Sequence, residues 1–156
     1  MDTNELLNEI EMLMPLVERP KGKDISFHKD DCYQCNYVRR DLEKFQDKEI
    51  PSEGIEIIYD EMSALSSKGW RWVMPSFLRY CIIKCELHFN NSTDFLLNNA
   101  EIEFLIYSLS PDEKYEKETD ERLSEFTNIQ LWCLVHFLEW CDKNKYISEY
   151  HNDDID

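Results

Sequence analysis

The sequence predicts a mainly α-helical protein, a compact multi-helix single domain. Three observations predict it. The 156-residue chain is 42% hydrophobic, enough for a substantial interior. It holds only three glycines and five prolines, too few for the many tight turns of a sandwich or barrel. Finally, its apolar residues recur at helical spacing in segment after segment.

The first segment, residues 4–18, carries apolar residues at 6, 7, 10, 13, 14 and 17, with Pro15 placed to end or kink it. "RPKGK" at 19–23 reads as a short basic linker. A second helix is expected over 31–46, with Asp31 as N-cap and Gln34 three residues on. Its inward line is Cys35, Val38, Leu42 and Phe45. Another helix follows Pro51 within 50–65. Residues 66–72, "SSKGWRW", read as a turn and a short irregular piece, and Pro75 opens a strong helix reaching about Asn90. Loops are expected at 90–94 and 110–120, around a helix at 95–109. That helix turns Phe95, Leu96, Ile102, Leu105, Ile106 and Leu109 inward.

In the last segment Thr127-Asn128-Ile129-Gln130 fits a capping box, and "LWCLVHFLEWC" is apolar nearly all round. It reads as a central helix that buries Trp132, Leu134, Val135, Phe137 and Leu138. The domain is expected to span 1–145, leaving 146–156 as an acidic C-terminal tail.

Charge bounds the partners. Acidic residues number 33 against 17 basic, a formal net of −16. Residues 86–142 hold only Lys114, Lys117 and Arg122 as bases. Such a field repels phosphate backbones and anionic membranes, and steers a basic protein toward the chain. Residues 101–125, with nine acids and three bases, are the densest stretch. Within it Asp112, Glu113, Glu116, Glu118, Asp120 and Glu121 form the expected partner-binding face, in or beside a loop. No apolar run approaches a membrane span, and the acidic start lacks a signal peptide's pattern. A cytoplasmic protein with reduced cysteines is expected.

The candidate chemistry sits in "HKDDCYQC". His28, Cys32 and Cys35 stand at i, i+4 and i+7, a spacing that places them on one helix face and offers metal ligands. Cys81, Cys85 and His88 repeat the spacing, so one zinc site drawing on both helices is conceivable. Against this, buried free cysteines pack as small hydrophobes, and no second Cys-x2-Cys accompanies the first. The preferred reading is structural: free thiols at a helix start, with no cofactor and zinc as the alternative. A redox role lacks the βαβ context, although a helix start lowers the pKa of Cys32. Cys133 and His136, at i and i+3, offer a nucleophile and a base, but Cys133 belongs to the core side. No phosphate-cradling loop or hydrolase motif occurs, so a non-enzyme is expected. In "GWRWVMPSFLRY", Trp70 and Trp72 read as braces for the helix start, with a recognition surface as the alternative.

His28-x3-Cys32-x2-Cys35, Trp72-Val73-Met74-Pro75-Ser76-Phe77-Leu78, and Gln130 followed by Phe137-Leu138 together resemble an uncharacterised bacterial family of small helical domains. The resemblance spans most of the chain. It implies a bacterial, cytoplasmic, helical domain and assigns no catalytic residues. The expected function is a non-catalytic acidic protein-binding module, an inhibitor or immunity-type protein that neutralises a basic toxin or nuclease. The alternative is a small zinc-stabilised or thiol-based regulatory domain using Cys32 and Cys35.

Overall fold

Asp2 opens the first helix. Its carboxylate accepts the Glu5 N–H at 2.8 Å, the capping role short acidic side chains fill, and α1 runs Thr3–Leu13. The structure is a computed structural model describing residues 2–28, 32–91, 100–109 and 116–143, and of 85–91 the backbone alone. Over these residues the order is α1, a 3-10 turn Gly22–Ile25, α2 Tyr33–Asp41, α3 Ser52–Ile58 and a 3-10 turn Tyr59–Ala64. Then follow α4 Ser67–Asn91, α5 Ala100–Leu109, α6 Glu116–Arg122 and α7 Asn128–Lys143. The fold is all-α; among the described residues the one β feature is an isolated bridge between Ser26 and Leu65.

The apolar stripes become the core. Leu6, Ile10 and Met14 of the first segment are fully buried, as are Val38 of α2 and Leu42, its C-cap. α1 stops before Pro15, and it packs on both α7 and α4. Gly22, with φ +56°, supplies the left-handed turn that re-aims the chain after α1.

Four expectations need correction. First, α4 begins at Ser67, not Pro75: Ser66 Oγ accepts the Gly69 N–H at 3.0 Å and caps the helix there. Pro75 thus lies inside the helix and offers no N–H to the carbonyl one turn back. Trp70 and Trp72, 1% and 0% exposed, are wedged into the core rather than presented for recognition. Their burial offsets the missing bond. Second, residues 116–122 form α6 instead of a loop. Arg122 holds α6 down by lying over the Trp70 ring, 4.8 Å from its centroid. Third, the N-cap of α2 is Cys32, not Asp31, which lies outside the described residues. Fourth, Trp132 is 62% and Val135 38% exposed, whereas Leu134 and Phe137 are buried and Leu138 is half-buried. α1 covers one side of α7, and an all-round apolar sequence cannot show which side. Phe95, Leu96 and the tail 146–156 lie outside the described residues.

Candidate metal and thiol centre

The bridge between Ser26 and Leu65 decides where His28 goes. The Phe27 N–H donates to the Ala64 carbonyl at 2.7 Å, and the Ser66 N–H donates to the Ile25 carbonyl at 2.9 Å. Gly69 permits this close approach, since a Cβ there would stand 2.6 Å from the Ile25 carbonyl oxygen. Past the bridge, Ser26 Oγ donates to the His28 carbonyl at 2.8 Å and Arg39 Nη1 donates to the same oxygen at 3.0 Å. The His28 backbone is thereby fixed beside the first turn of α2.

That turn supplies the sulfurs. Cys32 Sγ accepts the Cys35 N–H at 3.3 Å, and Cys35 Sγ accepts the His28 N–H at 3.3 Å. The His28 Nδ1 lies 3.9 Å from Cys35 Sγ. One ligand atom from each of His28, Cys32 and Cys35 falls within 4.8 Å of the other two. His28 is exposed, Cys32 half-buried and Cys35 buried. The cluster therefore has a dry floor and an open rim.

The two thiols are electrostatically unlike. Hydrogen bonding from the Cys35 thiol and backbone N–H, then from His28, brings the Cys32 thiol down to about 7. Burial, followed by its hydrogen bond to Cys32, pushes the Cys35 thiol up. Near neutrality Cys32 is therefore about half ionised, and Cys35 is the harder of the two thiols to ionise. Ligand atoms around tetrahedral zinc sit ~3.5–3.8 Å apart, given bonds of about 2.0–2.3 Å. The present spread of up to 4.8 Å exceeds this by about 1 Å. The three residues are ligand types that zinc takes and would fill three of its four tetrahedral positions.

The other candidates fall elsewhere. Cys81 is buried and does not join the cluster, while the side chains of Cys85 and His88 lie outside the described residues. Cys133 is shut in the core, its thiol pushed up to about 11 by burial and by Glu9, and His136 is bonded to Glu9. They form no nucleophile–base pair. Glu116, Glu118, Asp120 and Glu121 are exposed on α6; Asp112 and Glu113 lie outside the described residues. No helix among the described residues is long and apolar enough to cross a membrane.

Sequence reasoning overlooked Arg39 and Ser26, which hold His28 in place. Arg39 stands four residues after Cys35 and seven after Cys32, so helical spacing already put it on the cysteine face. Ser26 had no such signal, since its place depends on a bridge to Leu65. No curated protein and no solved structure matches the chain. Residues 3–153 match the family described as "Family of unknown function (DUF6714)", and the chain belongs to that family.

Proposed function

We propose that the protein is a small regulatory domain whose His28, Cys32 and Cys35 centre takes up zinc. The observation that carries this reading is the convergence of three donor atoms within 4.8 Å. Both sulfurs also accept backbone N–H bonds, which favour their thiolate forms. Zinc here would reinforce the ties that Arg39 and Cys35 already make between the bridged segment at 25–28 and the start of α2. Loss of the metal, or oxidation of the cysteines, would remove that reinforcement and make the centre a switch. Thermal unfolding tests it: zinc should raise the unfolding temperature of the wild type and leave Cys32→Ser unchanged. Equal response of the two proteins would refute the reading.

A second reading keeps the acidic face as a docking surface for a basic protein. The exposure of Glu116, Glu118, Asp120 and Glu121 around α6 favours it. Reversing these four to lysine should slow association with such a partner by about tenfold at low salt. The difference should shrink at 0.15 M salt, where screening acts beyond about 8 Å. Equal rates at both salts would leave the acidity no role in docking.

A further inference from the structure

The two sulfurs of the His28, Cys32 and Cys35 centre are also placed to bond to each other. Cys32 is the N-cap of α2 and its carbonyl accepts the Asn36 N–H at 2.9 Å, so Cys32 and Cys35 stand one helical turn apart. Helix geometry sets the Cα atoms of residues three apart at about 5 Å, inside the ~4.4–6.8 Å that a disulfide bridges. The two Sγ atoms already lie within 4.8 Å of each other.

Access divides the roles. Among the described residues Cys32 is the one cysteine that is not buried. Cys35 is 1% exposed, and Cys81, Cys133 and Cys141 are shut in the core. Of these five, a small disulfide in solution meets Cys32 alone, and Cys35 is the sulfur placed to displace it. The Cys35 N–H donates to Cys32 Sγ at 3.3 Å, which keeps the sulfur to be attacked beside the residue that attacks it. The βαβ frame of a thioredoxin-type motif is absent. Exchange itself needs only an accessible sulfur with a second one behind it.

We propose that Cys32 and Cys35 carry out thiol–disulfide exchange with a small disulfide of the glutathione class and close a reversible intramolecular disulfide. Cys32 Sγ, as thiolate, attacks one sulfur of the small disulfide. That S–S bond breaks, and one small thiolate leaves with the bonding pair. Cys35 then passes its proton to water by way of the exposed His28 ring, whose Nδ1 lies 3.9 Å from Cys35 Sγ. Its sulfur attacks Cys32 Sγ and expels the second small thiolate. The protein gives up two electrons and two protons, and the small disulfide becomes two thiols. The Cys35 S–H that donates to the Ala64 carbonyl at 3.8 Å is lost, and with it a link from α2 to the turn Tyr59–Ala64. A corollary rests on the zinc reading of this centre: disulfide and zinc exclude each other, because zinc takes thiolates.

The test is a glutathione redox titration of chelator-treated protein, followed by acid quenching, alkylation and peptide mass mapping. A Cys32–Cys35 disulfide should appear with a single midpoint as oxidised glutathione rises, and revert fully on dithiothreitol. Cys81, Cys133 and Cys141 should stay reduced throughout. Cys35→Ser should stop at the mixed glutathione disulfide on Cys32. Two wild-type results overturn the proposal whether or not that variant folds. One is a pair still reduced in excess oxidised glutathione, and the other is a mixed disulfide that accumulates without closing. Zinc added beforehand should slow the oxidation by about tenfold or more. A rate that zinc leaves unchanged refutes zinc at this centre and leaves the exchange standing.

Discussion

His136 Nδ1 lies 2.7 Å from one carboxylate oxygen of Glu9 and 2.9 Å from the other, joining α7 to α1 across 127 residues of chain. Two further bonds flank this contact. Trp140 Nε1 donates to Thr3 Oγ1 at 3.1 Å, and Gln130 Nε2 donates to the Leu13 carbonyl at 3.1 Å. As the α7 number falls from 140 to 130 the α1 number rises from 3 to 13, so the helices run antiparallel. Gln130 has a double task, since its Oε1 accepts the Thr127 N–H at 3.0 Å and completes the capping box.

Removing the middle bond should loosen this pair. Glu9→Ala is expected to destabilise by about 1–3 kcal/mol in denaturant unfolding, because it strips a half-buried histidine of its acceptor. Glu9→Gln should cost less. In a double-mutant cycle with His136→Ala the two losses should fall short of additive. Additive losses would mean the residues act separately.

α7 has a buried and an exposed apolar side. Leu134, 4% exposed, should cost about 2–5 kcal/mol on replacement by alanine. Trp132→Ala should shift stability by only about 0.5 kcal/mol, as exposed substitutions usually do. Matching midpoints for the two variants would contradict the placement of α7.

Stability should also depend on pH through Glu61. Burial, then a hydrogen bond and repulsion from Asp41, push its carboxyl from an ordinary 4.5 up to about 7. The folded chain then holds a proton that the unfolded chain has released. Between about pH 4.5 and 7 stability therefore falls as pH rises. Glu61→Gln should flatten that slope and unfold at higher temperature than the wild type at pH 7.5. A slope unchanged by Glu61→Gln would assign the pH dependence elsewhere.

The cysteines should separate by reactivity. In chelator-treated protein, the alkylation rate at Cys32 should rise with a midpoint near pH 7, followed by peptide mapping. Cys35 and Cys133, both buried, should react far more slowly. His28→Ala should move the Cys32 midpoint upward, since it removes a group that favours the thiolate. An identical midpoint in that variant would detach His28 from the centre.

Much of this was legible in the sequence, in proportion to how local the cause is. The stripe of α1 and the Thr127–Gln130 box depend on neighbours three or four residues apart, and pattern reading captures them. α6 escaped because "EKETDER" has no apolar stripe; its anchor is an arginine resting on a distant tryptophan. The start of α4 escaped because Pro75 marks a first turn by preference, whereas here the buried Trp70 and Trp72 decide. At the centre, the spacing of His28, Cys32 and Cys35 was plain. Their convergence was not, because it depends on a bridge between residues far apart in sequence, Ser26 and Leu65.

The most direct measurement is the zinc content of protein purified without chelator, determined by elemental analysis alongside Cys32→Ser and His28→Ala. A zinc-centred regulatory domain requires one zinc per chain in the wild type, lost from both variants together with a lowered unfolding temperature. Wild-type protein free of zinc and indifferent to its addition, or zinc retained by both variants, would contradict it.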